Sequence, residues 1–562
     1  MFYCPEFPWQ LYVGKHLKNS RNVKSDLDLA RSQSFDYISV PILSQEGSFI
    51  SSDYALNPSE WNSCVVGVVT CEQPVLTQIN WGIYVGMHSI IVPLTQRKNS
   101  DLARAINQVL EKGLSFSKIV VEVDVSDWQT WNEFRLLLKP SPFLGVCLVL
   151  KDQELTNAEI WEGEPVMHVR LLKSAFVSNS GSFVLSKSVQ SLVRKLFKLL
   201  VTVTLPESLE SQALRGYICY LFQNQPKLSL IESSTFNFWD CLQAPLQPLM
   251  NNLESVTYNQ FEQDSPKYKL YQEAIGKALE DNPEFSVVMV VGAGRGPIVR
   301  AALCAAAKLN RKLKVFALDK NKNAIATLMN LKQTEWSQLD VSVVEKDMRN
   351  WEPPVKAHLV VSELLGGFGD NELEPECLAH INRLLTEGGL SIPCKSTSYL
   401  SPVASQRNWV NAVKLQNKLE QPYVCKLHNA YMPHSPSPVF SFEYPSENSF
   451  SKFCSLRFSL SGPLTLHGFG GYFESQLYKD VKLTTVPSTH STDMCSWFPM
   501  YFPIKEPLFG TQGEVEVNVW RCNQQGKVWY EWEMSIVEEE LRVATSGVHN
   551  INGLQHWIGL YT

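Results

Sequence analysis

VVMVVGAGRGP, residues 287–297, runs from an unbroken apolar stretch into a glycine turn and then a proline. A short apolar run closed by a turn reads as a strand buried on both faces. Gly292 and Gly294 let the backbone turn tightly and approach a ligand. Pro297 sits where the first turn of a helix tolerates proline. Strand, glycine loop and helix together open a doubly wound α/β fold, which binds ligands at the carboxyl ends of its strands. Downstream, KVFALD, VSVVEKD, HLVVSE and GGLSIP supply further strands of one block, residues 286–393, with helices beginning near Pro297, Asn321 and Glu374.

The strand ends carry the chemistry. The loop is GxGxG, and Pro297 stands where a dinucleotide fingerprint wants a third small residue, which weighs against NAD. Asp319 ends the second strand, 27 residues after Gly292, where a carboxylate can accept both hydroxyls of a ribose. Asp347 ends the third, where it can accept an adenine amino group while the Met348 N–H faces a ring nitrogen. With no Walker sequence in the chain, an adenosyl ligand such as S-adenosyl-L-methionine fits better than a nucleoside triphosphate. The fourth strand leads into SELLGGFGDNEL, residues 362–373. Its acids Glu363 and Glu372 are separated by Gly366, Gly367 and Gly369, so the loop can fold back and bring both to one pocket. Two close carboxylates repel, and one takes up a proton unless a cation lies between them. A planar guanidinium with forked donors matches that need.

Upstream, residues 252–280 read as one helical segment with Tyr258, Phe261, Tyr268 and Tyr271 broadly on one face. PLQPLM, residues 245–250, marks a boundary. Before it, apolar runs begin at Phe35, Ser63, His88, Lys118, Leu144, Val166 and Leu199, with a weaker one at Leu11. Eight βα units in about 200 residues suggest a compact TIM-type barrel, with an open doubly wound sheet as the alternative. His88 and His168 lie in apolar runs, and each reads as a core or strand-end histidine rather than a ligand. Residues 395–562 switch to period-two alternation, clearest in EVEVNVW from Glu514 and KVWYEWEMSI from Lys527. That pattern predicts an antiparallel sandwich or barrel. The expected division is a barrel over 1–225, a linker over 226–250, a Rossmann-like domain over 251–395 and a β-domain over 396–562.

Composition narrows the partners. The 562 residues carry 44% hydrophobic and 19% charged residues and a net charge of −6, ordinary for globular protein. A sequence pI near 6.1 argues against a chain built to grip nucleic-acid phosphates. No apolar run approaches a membrane span, and the N-terminus shows no signal-peptide pattern. Thirteen scattered cysteines without a CxxC pair argue against a zinc site or disulfide framework, so no metal is expected and a reducing compartment, cytosol or nucleus, is.

Four stretches resemble one family: VVGAGRGP, SELLGGFGDNELEPECL, THSTDMCSWFP (residues 489–499) and LQPLMNNLESVTYNQFEQDSPKYKLYQEAI (residues 246–275). They are similar to the protein arginine N-methyltransferases, and within them to the type II, symmetric-dimethylating branch. The likeness is close over residues 245–535 and weaker before that, where the family has a TIM barrel. It implies that Glu363 and Glu372 hold the substrate guanidinium, and that Tyr258, Lys267, Tyr268, Gly292 and Gly294 contact the cofactor. It implies a ribose contact for Asp319 and adenine contacts for Asp347 and Met348. Phe261 would stand near the transferred methyl, Gln243, Leu364, Ser496 and Trp497 would shape the arginine channel, and His428 would lie near the substrate backbone. Further implications are Arg/Gly-rich protein substrates such as histone tails and Sm proteins, a WD40 propeller adaptor on the barrel, homo-oligomers, and a cytoplasmic and nuclear location. Phe238, Cys495 and Gly367 depart from the family pattern, which has a tyrosine, an aromatic and a small polar residue there. Two other readings stay open: a catalytically weak methyltransferase-like scaffold, and a methyltransferase for another cation-bearing or small substrate.

Overall fold

The computed structural model describes residues 10–18, 20, 22–42, 57–70, 74–94, 99–113, 117–152, 155–179, 182–208, 210–416 and 418–560. The chain divides into two compact units.

The first unit holds residues 1–229 together with 404–416 and 428–431. Its strands are β1 (Val13–His16), β2 (Tyr37–Ile42), β3 (Val65–Val69), β4 (Ser89–Pro93), β5 (Lys118–Asp124), β6 (Leu144–Leu150), β7 (Val166–Leu171) and β8 (Thr202–Leu205). Each pairs in parallel with the next, and β1 closes the ring against β8. All eight apolar runs therefore became barrel strands, the weak one at Leu11 included, and the open-sheet alternative falls. Tyr37, Val66, Val68, Ile91, Val120 and Cys147 pack together as a core cluster. His168 is buried, with Nε2 3.0 Å from Ser89 Oγ, a satisfied core histidine. A 3-10 turn, Ala158–Gly163, takes the place of a crossover helix after β6.

This unit is completed from far along the chain. Helix Gln406–Lys414 belongs to it. Arg135 pairs with Glu164 at 2.8 and 2.9 Å and donates to Gln406 Oε1 at 3.1 Å. The indole N–H groups of Trp128 and Trp131 each donate to Glu164 at 2.9 Å. Asn429 donates to the Glu162 and Glu164 carbonyls at 2.6 and 2.9 Å.

In the second unit β9 (Val287–Val291), β10 (Lys314–Asp319), β11 (Val341–Glu345), β12 (Ala357–Ser362) and β13 (Leu385–Ile392) form a parallel sheet in the order β11-β10-β9-β12-β13. The order reverses between β9 and β12, the place where such sheets open a crevice. The segment read as one helix is two: α1 (Ser255–Glu262) and α2 (Ser265–Asp281). Asp264 breaks it, because its carboxylate caps α2 and Pro266 fits only the first turn. Helix α2 buries Tyr271, Ala274, Ile275 and Ala278 against the sheet core. Helices α3 (Pro297–Lys308) and α4 (Lys322–Gln333) follow as expected, whereas the helix near Glu374 is one turn, Glu374–Cys377.

Two antiparallel sheets complete this unit as a sandwich. One is built on Lys395–Val403, Leu464–Tyr478 and Met500–Gly510, the other on Lys452–Leu460, Gly513–Gln524 and Lys527–Glu538. Phe502 of the first meets Tyr530 and Trp532 of the second edge-on at 6.0 and 5.5 Å. Residues 230–250, expected within a linker, belong to this unit, and several of them wall its cavity. Of the two prolines that read as a boundary, Pro248 lines that wall.

Candidate active site

A cavity of about 560 Å³ opens at the carboxyl ends of β9, β10 and β12. Every site residue expected from the sequence lines it except His428, whose Nε2 lies 2.9 Å from the Lys198 carbonyl within the barrel unit.

Positive φ at Gly292 (69°) and Gly294 (54°) bends the glycine loop into a conformation side chains rarely adopt. A Cβ at Gly294 would also stand 3.1 Å from the Tyr258 ring. Asp319 fixes the loop from below: one oxygen accepts the Gly294 N–H and the other the Asn321 N–H, both at 2.7 Å. Burial pushes its pKa up, against the pull of these bonds. Asn321 in turn donates to the Tyr258 hydroxyl at 3.2 Å. Burial works against the Asp347 carboxylate, yet Arg349, donating at 2.6 and 3.1 Å, holds its pKa below the ordinary value. Asp347 is therefore already paired, a partner the sequence reading did not supply.

The acidic loop folds back as its glycines suggested. Gly366 and Gly369 exchange backbone hydrogen bonds of 2.9 and 2.8 Å. A Cβ at Gly367 would stand 2.6 Å from the Phe498 carbonyl oxygen, which accounts for glycine there. Beyond the turn, Asp370 accepts from Ser398 and Tyr530 at 2.7 Å each and from Arg521 Nε. Arg521 also forks onto Glu376 at 2.7 and 2.9 Å. The sandwich thus anchors the stretch that carries Glu372. Whatever surface Glu372 keeps faces the cavity. Burial, and then the charge of Glu363, push its pKa well above the carboxyl range, while Lys267 acts the other way.

Lys267, 1% exposed, lies 3.3 Å from Glu363. Its ammonium sits 4.8 Å from the Tyr268 ring, 4.9 Å from Trp497 and 5.3 Å from Phe261. This cage of aromatic faces suits a cation. Trp497 is fixed by its indole N–H donating to the Leu365 carbonyl at 2.8 Å. Asp264 accepts the N–H groups of Cys495 and Ser496 at 3.0 and 2.7 Å, tying the CSW loop to the start of α2. At the rim, Gln243 pairs its backbone with Val424 at 3.0 and 2.9 Å, and Phe238 packs 6.0 Å from Phe498. Gln243 Nε2 and Ser496 Oγ are buried polar atoms without a hydrogen-bond partner, as expected of groups awaiting a polar ligand. Among the described residues no group of three His, Cys, Asp or Glu side chains is set to hold a metal ion.

Glycine loop, Asp319 and the acid pair thus line one cavity at the switch point of the sheet. Comparison with known proteins gives this arrangement a family. Three family models cover most of the chain: the PRMT5 TIM barrel domain over residues 34–224, the PRMT5 arginine-N-methyltransferase over 229–392 and the PRMT5 oligomerisation domain over 395–558. Protein arginine N-methyltransferase 5 of Xenopus laevis is 35% identical, over 97% of this chain and 98% of that one. The chain belongs to the protein arginine N-methyltransferase 5 family. Its namesake from Oryza sativa subsp. japonica is 36% identical over 94% of each chain. Protein arginine N-methyltransferase skb1 of Schizosaccharomyces pombe is 32% identical, over 95% of this chain and 97% of that one.

Within this family frame, sequence reasoning missed Asp264, Asn321, Arg295, Asp370 and Arg521. Asp264 and Asn321 carried a local signal, each as a helix start. Arg295, Asp370 and Arg521 act through partners remote in sequence.

Proposed function

We propose that this chain is an S-adenosylmethionine-dependent protein arginine N-methyltransferase that yields monomethylarginine and symmetric dimethylarginine. The observation that carries the reading is the acid pair: Glu363 and Glu372 line one cavity together with the aromatic rings of Phe261, Tyr268 and Trp497, a lining that suits a cation. The polar set fits the cofactor as well. Asp319 stands at the ribose position, Asp347 and Met348 at the adenine, and Tyr258, Lys267 and Tyr268 at the methionine portion. Bound there, S-adenosylmethionine supplies an electrophilic methyl group on its sulfonium.

The protein's own residues do the rest. Glu363 and Glu372 accept the guanidinium N–H groups and orient one terminal nitrogen toward the methyl. Arginine is effectively always protonated, so its nitrogen attacks only if charge is held off it. Two carboxylates on the opposite edge hold it so, and stabilise the charge that develops. Placing both reactants at attack distance supplies about 7–11 kcal/mol of the barrier. Phe261, beside Lys267, narrows the room next to the first methyl, which favours transfer to the other terminal nitrogen. The match to the PRMT5 oligomerisation domain supports self-association. A WD40 adaptor on the barrel and Arg/Gly-rich substrates belong to the same proposal. Fragmentation mass spectrometry of an Arg/Gly-rich peptide incubated with enzyme and cofactor tests it. Symmetric dimethylarginine is the expected product, and asymmetric product from the unmutated chain would overturn the type II reading.

A further inference from the structure

Helix α1 walls the cavity with Tyr258, Phe261 and Glu262, yet none of its eight residues is buried. An isolated helix so short is unstable in water, and the apolar anchors of this one are only the half-buried rings of Tyr258 and Phe261. Arg295, from the glycine loop, makes the difference. Its Nε donates to Glu262 Oε1 at 2.8 Å and Nη2 to Glu262 Oε2 at 2.5 Å. Nη1 donates to Ser255 Oγ at 2.9 Å, and Nη2 also to Asn259 Oδ1 at 2.6 Å. The three acceptors recur at positions i, i+4 and i+7, one face of the helix. Four of the five guanidinium N–H groups donate to α1, so most of the donor capacity of Arg295 is committed to that helix.

We propose that Arg295 is a latch, a positioning residue that holds α1 over the cavity and so sets both the residence time of the cofactor and the place of Phe261. The residence-time part rests on the cofactor reading above. A forked guanidinium–carboxylate pair has two parallel bonds and a defined plane, which a point charge cannot reproduce. Phe261 directly precedes Glu262, and its ring lies 6.5 Å from that of Tyr258. Releasing Glu262 therefore releases the ring that crowds the methyl.

The test uses the full chain with Arg295→Gln, Glu262→Gln, the two combined, and the charge swap Arg295→Glu with Glu262→Arg. The first readout needs no ligand: amide hydrogen exchange over residues 255–262. Each single variant should speed it by about tenfold while α2 keeps its protection. The second is the dissociation rate of S-adenosylhomocysteine, expected to rise about five- to tenfold in either single variant and no further in the double, with partial recovery in the swap. Unchanged exchange, or single effects that simply add, overturns the latch. Failure of the wild-type chain to bind the cofactor while exchange responds as expected overturns the cofactor reading instead, and with it the residence-time part.

Discussion

Asp370 and Arg521 stand 151 residues apart in the chain and meet in the interior, where Arg521 Nε donates to Asp370 and neither side chain is more than 1% exposed. Glu376 completes the pairing on the other side of the guanidinium. Breaking a buried pair from one side strands charge and costs about 3–5 kcal/mol. Arg521→Met should therefore lose about that much stability in denaturant unfolding, and Arg521→Lys most of it, because a single ammonium cannot serve both carboxylates. Turnover should fall in both variants, since Glu372 follows Asp370 by two residues. Near-wild-type stability in Arg521→Met would show that the network contributes little.

The acid pair separates binding from chemistry. Glu372→Gln should lower turnover by two to three orders of magnitude, in line with the ~2–5 kcal/mol cost of truncating one partner of a buried charge contact. Cofactor affinity by calorimetry should stay within about threefold of wild type. Glu363→Gln should be as inactive and also less stable, because it removes the counter-charge of the buried Lys267.

Glu374 gives a pH signature. It is fully buried, and its pKa rises from 4.5 to about 8, chiefly through burial, with bonds from Ser396 and Tyr444 opposing. A carboxyl whose folded pKa is raised binds its proton more tightly in the native state, so its stabilisation is complete below 4.5 and is lost as pH climbs to about 8. Glu374→Gln lacks that titration. Its stability relative to wild type should improve steadily across this window and level off above it, as thermal melts in a buffer series would show. A constant difference across the series would contradict the assignment.

Phe261→Met keeps an apolar group at the methyl position but replaces a flat ring with a flexible chain. Some asymmetric dimethylarginine should then accompany the symmetric product, detectable by fragmentation of the product peptide. A slower enzyme with unchanged product type would leave Phe261 as packing alone.

The barrel was legible because most of its strands are continuous apolar runs; only the first, VGKH, carries two polar residues in four and read as weak. That Asp319, Glu363 and Glu372 share one cavity was legible because the first two stand at strand ends and glycines let the loop fold back to the third. Arg521 was not. It sits in an alternating strand, where one charged residue reads as solvent-facing, and only the tertiary pairing places it inside. The break at Asp264 was hidden by aromatic spacing that runs through it at nearly helical intervals. For His428, to which the resemblance gives a place near the substrate backbone, the fold adds a bond to the Lys198 carbonyl in the barrel unit that the sequence did not announce.

The late residues that complete the barrel unit also fix an order of events during synthesis. Glu164 and Arg135 leave the ribosome long before Gln406 and Asn429, which bond to them or to their neighbours. Between the two groups, the whole methyltransferase sheet, residues 287–392, must be translated. Domains generally fold as they emerge, N-terminal first, so the nascent barrel waits with that edge unfinished until the sandwich segment arrives. A fragment cut at residue 229 would carry the same gap for good: all eight strands, but without the helix whose Gln406 accepts from Arg135 and the asparagine that donates to the Glu162 and Glu164 carbonyls.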